Sequence, residues 1–199
     1  MRRQAGVGTI VLARNIANQY THRLTSLESL WQYAAATRFE KQREGSIRLH
    51  DSLALLLGLR AGERWLRLAG FRSLVSSGER LCWSEIYVHA AYEGLRHAQR
   101  DETKPVYEQL NQLYGLEISE VEQQISAMRM PPEVAKTLAS DPESPTLVER
   151  RTYRDQRGRI FEVSLNIHPG ERYANTTRLV REGFDRPRRR AEQAEPASV

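Results

Sequence analysis

The chain predicts an α+β domain, an antiparallel sheet flanked by helices. The first sign is a long hairpin between Ser144 and Leu179. Leu147, Glu149 and Arg151 alternate with Val148 and Arg150, Asp155 to Gly158 supplies turn chemistry, and Ile160, Phe161, Val163, Leu165 and Ile167 restore an apolar strand. The second is that the plan occurs twice. A short helical run at Asp51 to Leu57, a break, a strand from Arg64 to Phe71, a turn at Ser76 to Gly78 and a strand from Leu81 to Val88 precede a helix at Glu133 to Ala139 and strands at Thr146 to Tyr153 and Ile160 to Ile167. Two such halves can place their hairpins in one continuous sheet with helices on one side; the alternative is a chance succession of helix and hairpin. The third is length, since 199 residues bury one substantial core and leave little for a second.

In chain order, Gly6 and Gly8 suit a tight bend before Ile10, Val11 and Leu12, without the spacing or lysine of a phosphate-binding loop. Asn15 to Thr25 reads as connection. Leu27, Leu30 and Trp31 give a short helical face with Ser26 as a cap, and Ala34 to Ile47 reads as an edge strand or strand pair. Asp51 caps the helix carrying Leu53, Leu56 and Leu57, and Gly58 ends it. A short helix is expected at Tyr92 to Gln99, a clearer one through Val106, Leu110 and Leu113 to Gly115, and an extended segment from Ile118 to Met130. Pro131 and Pro132 start the next helix. From Asp185 onward no core stripe remains, so residues 185–199 read as a mobile basic tail.

Cys82 is the one cysteine, which excludes a disulfide framework and a cysteine metal site within the monomer and makes a cytoplasmic setting the default. No apolar run is long enough to span a membrane, and no signal-peptide core follows Met1 to Arg3. The formal charge of +5 owes much to Arg186, Arg188, Arg189 and Arg190 in the tail. His22, His50, His89, His97 and His168 lack metal-ligand spacing, so neither metal nor cofactor is expected.

Two polar clusters carry chemistry. Period two puts Glu162 and Ser164 on one strand face, with Arg172 and Tyr173 just beyond Pro169 and Gly170. Together they can accept, donate and meet an anion in a small-ligand pocket, or form a salt-bridged sheet edge facing water. In the first hairpin, Arg72, Ser84, Glu85 and Tyr87 make a second cluster, in which Arg72 and Glu85 suit a cross-strand pair. Ser84 has no base beside it in sequence, and no residue stands out as a nucleophile.

From about Ser46 through Arg181 the chain resembles the effector-binding UTRA domain of bacterial GntR-type regulators of the HutC subfamily. The resemblance rests on LLLGLRAGERW at Leu55 to Trp65, the hairpin from Arg67 to Val88, PVYEQLNQLYGLEI at Pro105 to Ile118, the passage from Pro132 to Arg151 and, above all, RDQRGRIFEVSLNIHPGERY at Arg154 to Tyr173. It implies a chorismate-lyase-like fold, an antiparallel sheet flanked by helices around a small molecule, without implying enzyme activity. It also implies boundaries: residues 1–14 as a remnant like the wing of a winged-helix DNA-binding domain, 15–45 as connection and start of the effector domain, and 46–184 as the effector domain. Met1 to Arg3 cannot supply a recognition helix. A truncated regulator, a surviving sensor module or a wrong start site would each explain this, and DNA is then reached only indirectly or through a missing N-terminal domain.

By the same resemblance Arg72 contacts an anionic effector, Glu162 and Tyr173 line or brace the pocket, Ser164 and Arg172 match the late pattern, and Glu85 stands one residue from a frequent acidic position now held by Ser84. Gly70 replaces an arginine that many sugar-phosphate sensors carry. The expectation is therefore a non-enzymatic sensor of a small polar or anionic metabolite that forms homodimers. The competing reading is a chorismate-lyase-like enzyme acting on a small organic acid, with Arg72 and Arg172 on its carboxylates and Glu162 directing the proton.

Overall fold

The computed structural model describes residues 2–3, 9–10, 20–22, 27–98, 101 and 103–176. In chain order the elements are β1 (Arg2–Arg3), β2 (Thr9–Ile10), β3 (Tyr20–His22), α1 (Leu27–Ala36), β4 (Thr37–Arg48), α2 (Asp51–Leu57), β5 (Arg64–Leu74), β6 (Arg80–His89), a 3-10 helix (Ala90–His97), α3 (Val106–Tyr114), β7 (Ile118–Arg129), α4 (Pro132–Leu138), β8 (Pro145–Asp155), β9 (Ile160–Pro169) and β10 (Tyr173–Asn175). β4 to β9 form one six-stranded sheet in the order β4-β5-β6-β9-β8-β7, antiparallel throughout. β1 pairs antiparallel with β2, and β10 pairs parallel with β3.

The sheet is two copies of one succession, β4-α2-β5-β6 and β7-α4-β8-β9, joined where β6 lies against β9. The repeat is thus one strand longer in each half than the sequence showed. β4 and β7 are long edge strands whose mixed composition hides their period, because much of each faces water.

Helices cover both faces, where one was expected. Leu57 of α2 and Val134, Ala135 and Leu138 of α4 pack with Trp65, Phe71, Trp83, Val163 and Leu165 on one side. Leu30 of α1, Leu95 of the 3-10 helix and Val106, Tyr107 and Leu110 of α3 pack with Leu66, Leu68, Ile86 and Val88 on the other. This opposition follows from the period of two along each strand, which sends alternate apolar residues to opposite sides.

Three local details differ from expectation. α1 runs to Ala36 before β4 begins, so Ala34 to Ile47 is a helix end followed by an edge strand. His50, not Asp51, caps α2: its Nδ1 accepts from the Leu53 amide at 3.4 Å, and Asp51 is the first helical residue. Gly58 ends that helix in the left-handed region at φ 69°, as its position suggested. Ser26, much of the segment read as wing and the tail at 185–199 lie outside the described residues. Among the described residues no helix is long and apolar enough to cross a membrane.

Candidate functional site

Strand alternation gathers the polar residues of four strands on the α1/α3 face. Ser84 stands opposite Asn166, Ile86 opposite Ser164 and Val88 opposite Glu162; across the next ladder Glu149 faces Asn166, Arg151 faces Ser164 and Tyr153 faces Glu162. Of these, Ile86, Arg151, Tyr153, Glu162, Ser164 and Asn166 line one cavity with Arg72 of β5, which α1 closes with Leu30, Tyr33 and Ala34 and the start of α3 closes with Pro105, Val106 and Tyr107. About 30 Å³ is open to the centre of a water-sized sphere, enough for water or a ligand of few heavy atoms without movement.

Beneath the cavity runs a buried hydrogen-bonded network. Ser84 Oγ donates to Asn166 Oδ1 at 2.7 Å, Asn166 Nδ2 to Glu149 Oε1 at 3.1 Å, and Tyr173 Oη to Glu149 Oε2 at 2.8 Å. Arg151 Nη2 meets Glu149 Oε1 at 2.7 Å and its Nε donates to Gln123 at 2.9 Å. Glu149 and Arg151 are 1% and 3% exposed, so each charge depends on the other. Burial works against the Arg151 charge, but Glu149 with Tyr153, Tyr33 and Tyr173 holds its pKa above the ordinary arginine value.

The cavity wall itself is less well satisfied. Arg72 Nη1 donates to Thr37 Oγ1 at 2.9 Å and its guanidinium lies 5.5 Å from the Tyr33 ring centre, yet its Nε has no hydrogen-bond partner. Glu162 Oε2 and the Tyr107 hydroxyl are likewise buried without partners. Burial pushes the Glu162 carboxyl up to about 8, although Arg72 acts in the opposite direction. Buried polar atoms left unpaired cost stability, and with Ser164 Oγ four of them belong to residues that line this one cavity.

Of the residues singled out from sequence, Arg72, Glu162 and Ser164 share this cavity. Tyr173 does not line it but is buried, stacked on His168 at 3.9 Å and bonded to Glu149, so it braces the network beneath the cavity. Arg172 lies elsewhere: its guanidinium donates to the carbonyls of Leu138 at 2.8 Å and Ala139 at 3.0 Å, where a cation complements the C-terminus of α4. Glu85 faces the opposite side of the sheet and pairs with Arg67, not Arg72. Burial raises its pKa, but the bonds from Arg67, Tyr87 and Trp83 outweigh this and hold it below the usual carboxylate range. The hollow it borders, about 230 Å³ against α4, is larger, but Glu85 is already engaged there.

Glu149, Arg151 and Asn166 were missed as a set. The signal was present in the alternation: Glu149, Arg151 and Tyr153 on one strand and Glu162, Ser164, Asn166 and His168 on the next are two period-two rows. Among the described residues no three His, Cys, Asp or Glu side chains gather as metal ligands.

Comparison with known proteins meets this geometry. No curated protein matches the sequence. Among solved structures, the effector domain of PhnF from Mycobacterium smegmatis superposes with a TM-score of 0.68 at 19% identity, covering 81% of this chain and 100% of that one. PhnF from the same organism gives 0.66 at 19%, covering 81% and 72%. The C-terminal domain of the histidine utilization repressor from Pseudomonas syringae pv. tomato str. DC3000 gives 0.61 at 20%, covering 73% and 99%. At these identities the likeness is one of fold. The UTRA domain family profile matches residues 35–174, taking in β4 and the end of α1 ahead of residue 46. With that match over most of its length, the chain belongs to the UTRA domain family.

Proposed function

We propose that the chain is the small-molecule-sensing module of a GntR-type regulator of the HutC subfamily, and that its effector is a small polar or anionic metabolite bound between the sheet, α1 and α3. The observation that carries this reading is the convergence of Arg72 Nε, Glu162 Oε2 and the Tyr107 hydroxyl, all buried and unpartnered, on one cavity. Family membership and the fold shared with effector domains support it. The Glu149–Arg151–Asn166 network supplies a rigid floor, so ligand contacts fall to the wall residues.

Calorimetry with a panel of small polar and anionic metabolites, on the full chain and on a chain ending at Phe184 at two salt concentrations, tests the reading. A ligand should bind both forms alike and weaken on Arg72→Gln. Binding lost only with the tail would reject the cavity in favour of a peripheral electrostatic site. Conversion of the bound acid into product would move the assignment to the enzyme reading, for which the raised carboxyl of Glu162 is suited as a proton donor.

DNA recognition belongs, on this reading, to a segment other than residues 35–174. An electrophoretic assay with this chain alone should show at most weak, salt-sensitive binding, and tight sequence-specific binding would contradict it.

A further inference from the structure

We propose that this cavity takes up a small carboxylate together with a proton, the anion sitting on the Arg72 guanidinium and receiving a hydrogen bond from the O–H of the Glu162 carboxyl. The inference rests on the sensing reading and adds a dependence of that sensing on pH. Arg72 and Glu162 are 9% and 2% exposed and line the same cavity, yet neither Arg72 Nε nor Glu162 Oε2 has a partner. The other cation of the lining, Arg151, is committed to Glu149 and Gln123. Among the described residues no ion pair reaches Arg72, so its charge is the one the lining leaves open to an entering anion.

An anion on Arg72 also meets Glu162. The free space of about 30 Å³ holds a few heavy atoms, which brings a bound carboxylate within reach of the Glu162 carboxyl. Two carboxylates sharing a buried site with one cation do not both stay ionised, and that of Glu162 is the one burial already disfavours. Protonated, Glu162 offers its O–H to the anion, and the Tyr107 and Ser164 hydroxyls of the same lining have one each to give. Burial pushes the Glu162 carboxyl up to about 8 against the pull of Arg72, and a neighbouring anion raises it further. Below that value the proton is already in place; above it, Glu162 must take one from solvent as the anion enters. Of the other titratable groups on this face, Tyr33 of α1, Cys82 of β6, Tyr107 of α3 and Tyr153 of β8 are pushed upward by burial and keep their protons below pH 9. Glu149 and Arg151 of β8 hold each other. Glu108 and His168 lie outside the lining, and any pH effect of theirs persists when Glu162 is replaced.

Carbon-13 NMR of the Glu162 carboxyl in the full chain, titrated from pH 6 to pH 10 with and without formate, acetate or propionate, tests the proposal. A carboxylate that binds should raise the Glu162 midpoint by at least about one pH unit, and acetamide, the neutral counterpart of acetate, should not. The affinity for that carboxylate, read from the same spectra, should fall about 5-fold or more between pH 7 and pH 9. Glu162→Gln keeps a donor and does not titrate, so it should bind the same carboxylate with an affinity that stays level across this range. Should that variant not fold, the midpoint in the parent decides alone. A carboxylate that binds equally at both pH values and leaves the midpoint in place would overturn the proton linkage and leave the sensing cavity standing. A parent-like fall in Glu162→Gln would overturn it too, by placing the titration on another group. Glu162 and Arg72 resonances unmoved by every carboxylate would overturn the proposal outright, and the metabolite panel above would then decide the sensing reading separately.

Discussion

Glu149 and Arg151 form an ion pair at 2.7 Å with almost no access to water. Truncating one partner leaves the other charge buried and uncompensated, a loss of about 3 to 5 kcal/mol. Glu149→Ala should therefore unfold at markedly lower denaturant than the parent, whereas Glu171→Ala, at an exposed acid, should shift the midpoint little; equal effects would show the pair to be dispensable. Glu162 gives a pH prediction of defined sign. Between its ordinary 4.5 and its folded value of about 8, the unfolded chain releases this proton while the folded chain keeps it, so stability falls as pH rises across that window and levels off above it. Glu162→Gln, which cannot titrate, should flatten the urea midpoint between pH 5 and 8 relative to the parent. An unchanged slope would mean that Glu162 is ionised in the fold. Of these residues, Glu162 and Ser164 were legible as a same-face pair, and Arg72 through family resemblance. Glu85 was not, because a one-residue step reverses the strand face and only the ladder shows that Arg67 is its partner.

At the scale of elements, β4 and β5 approach so closely at Gly70 that an added Cβ would stand 2.1 Å from the Glu40 carbonyl oxygen, next to the register shift between Lys41 and Arg43. Any side chain there would require this pairing to change. Gly70→Ala should cost about 2 kcal/mol or more, while Gly45→Ala, with nothing within 4 Å of its added Cβ, should stay within about 0.5 kcal/mol in the same denaturation assay. Similar costs at both sites would contradict the close approach. The hairpins β5/β6 and β8/β9 were legible because buried strands are dense in apolar residues and their turns carry Gly or Asp. The end of α1 and the start of β4 were not, since a half-exposed helix end and a charged edge strand present the same mixture of residues. The cap of α2 was misplaced by one residue because aspartate is the commoner cap, and here the ring nitrogen of His50 serves instead.

At the scale of the whole molecule, the doubled succession leaves two long strands, β4 and β7, at opposite edges of one sheet. An open edge is a template for pairing with a second copy, and we expect homodimers on that ground. Light scattering on the purified chain at micromolar concentration should report a dimer, and a strictly monomeric species would contradict it. The repeat was visible in outline from sequence, but the meeting of its halves at β6 and β9 was not, because which strands become neighbours depends on contacts far apart in the chain. That meeting builds the site: it sets Ser84 against Asn166 and Val88 against Glu162, and so assembles the cavity across both halves. The most direct test of the central claim, that this cavity is the effector site, is mass spectrometry of small molecules retained after incubating the protein with bacterial metabolite extract and washing under native conditions. The account predicts a small polar or anionic compound held by the parent chain and by a chain ending at Phe184, and lost from Arg72→Gln that remains folded. Retention of the same compound undiminished by Arg72→Gln would contradict it.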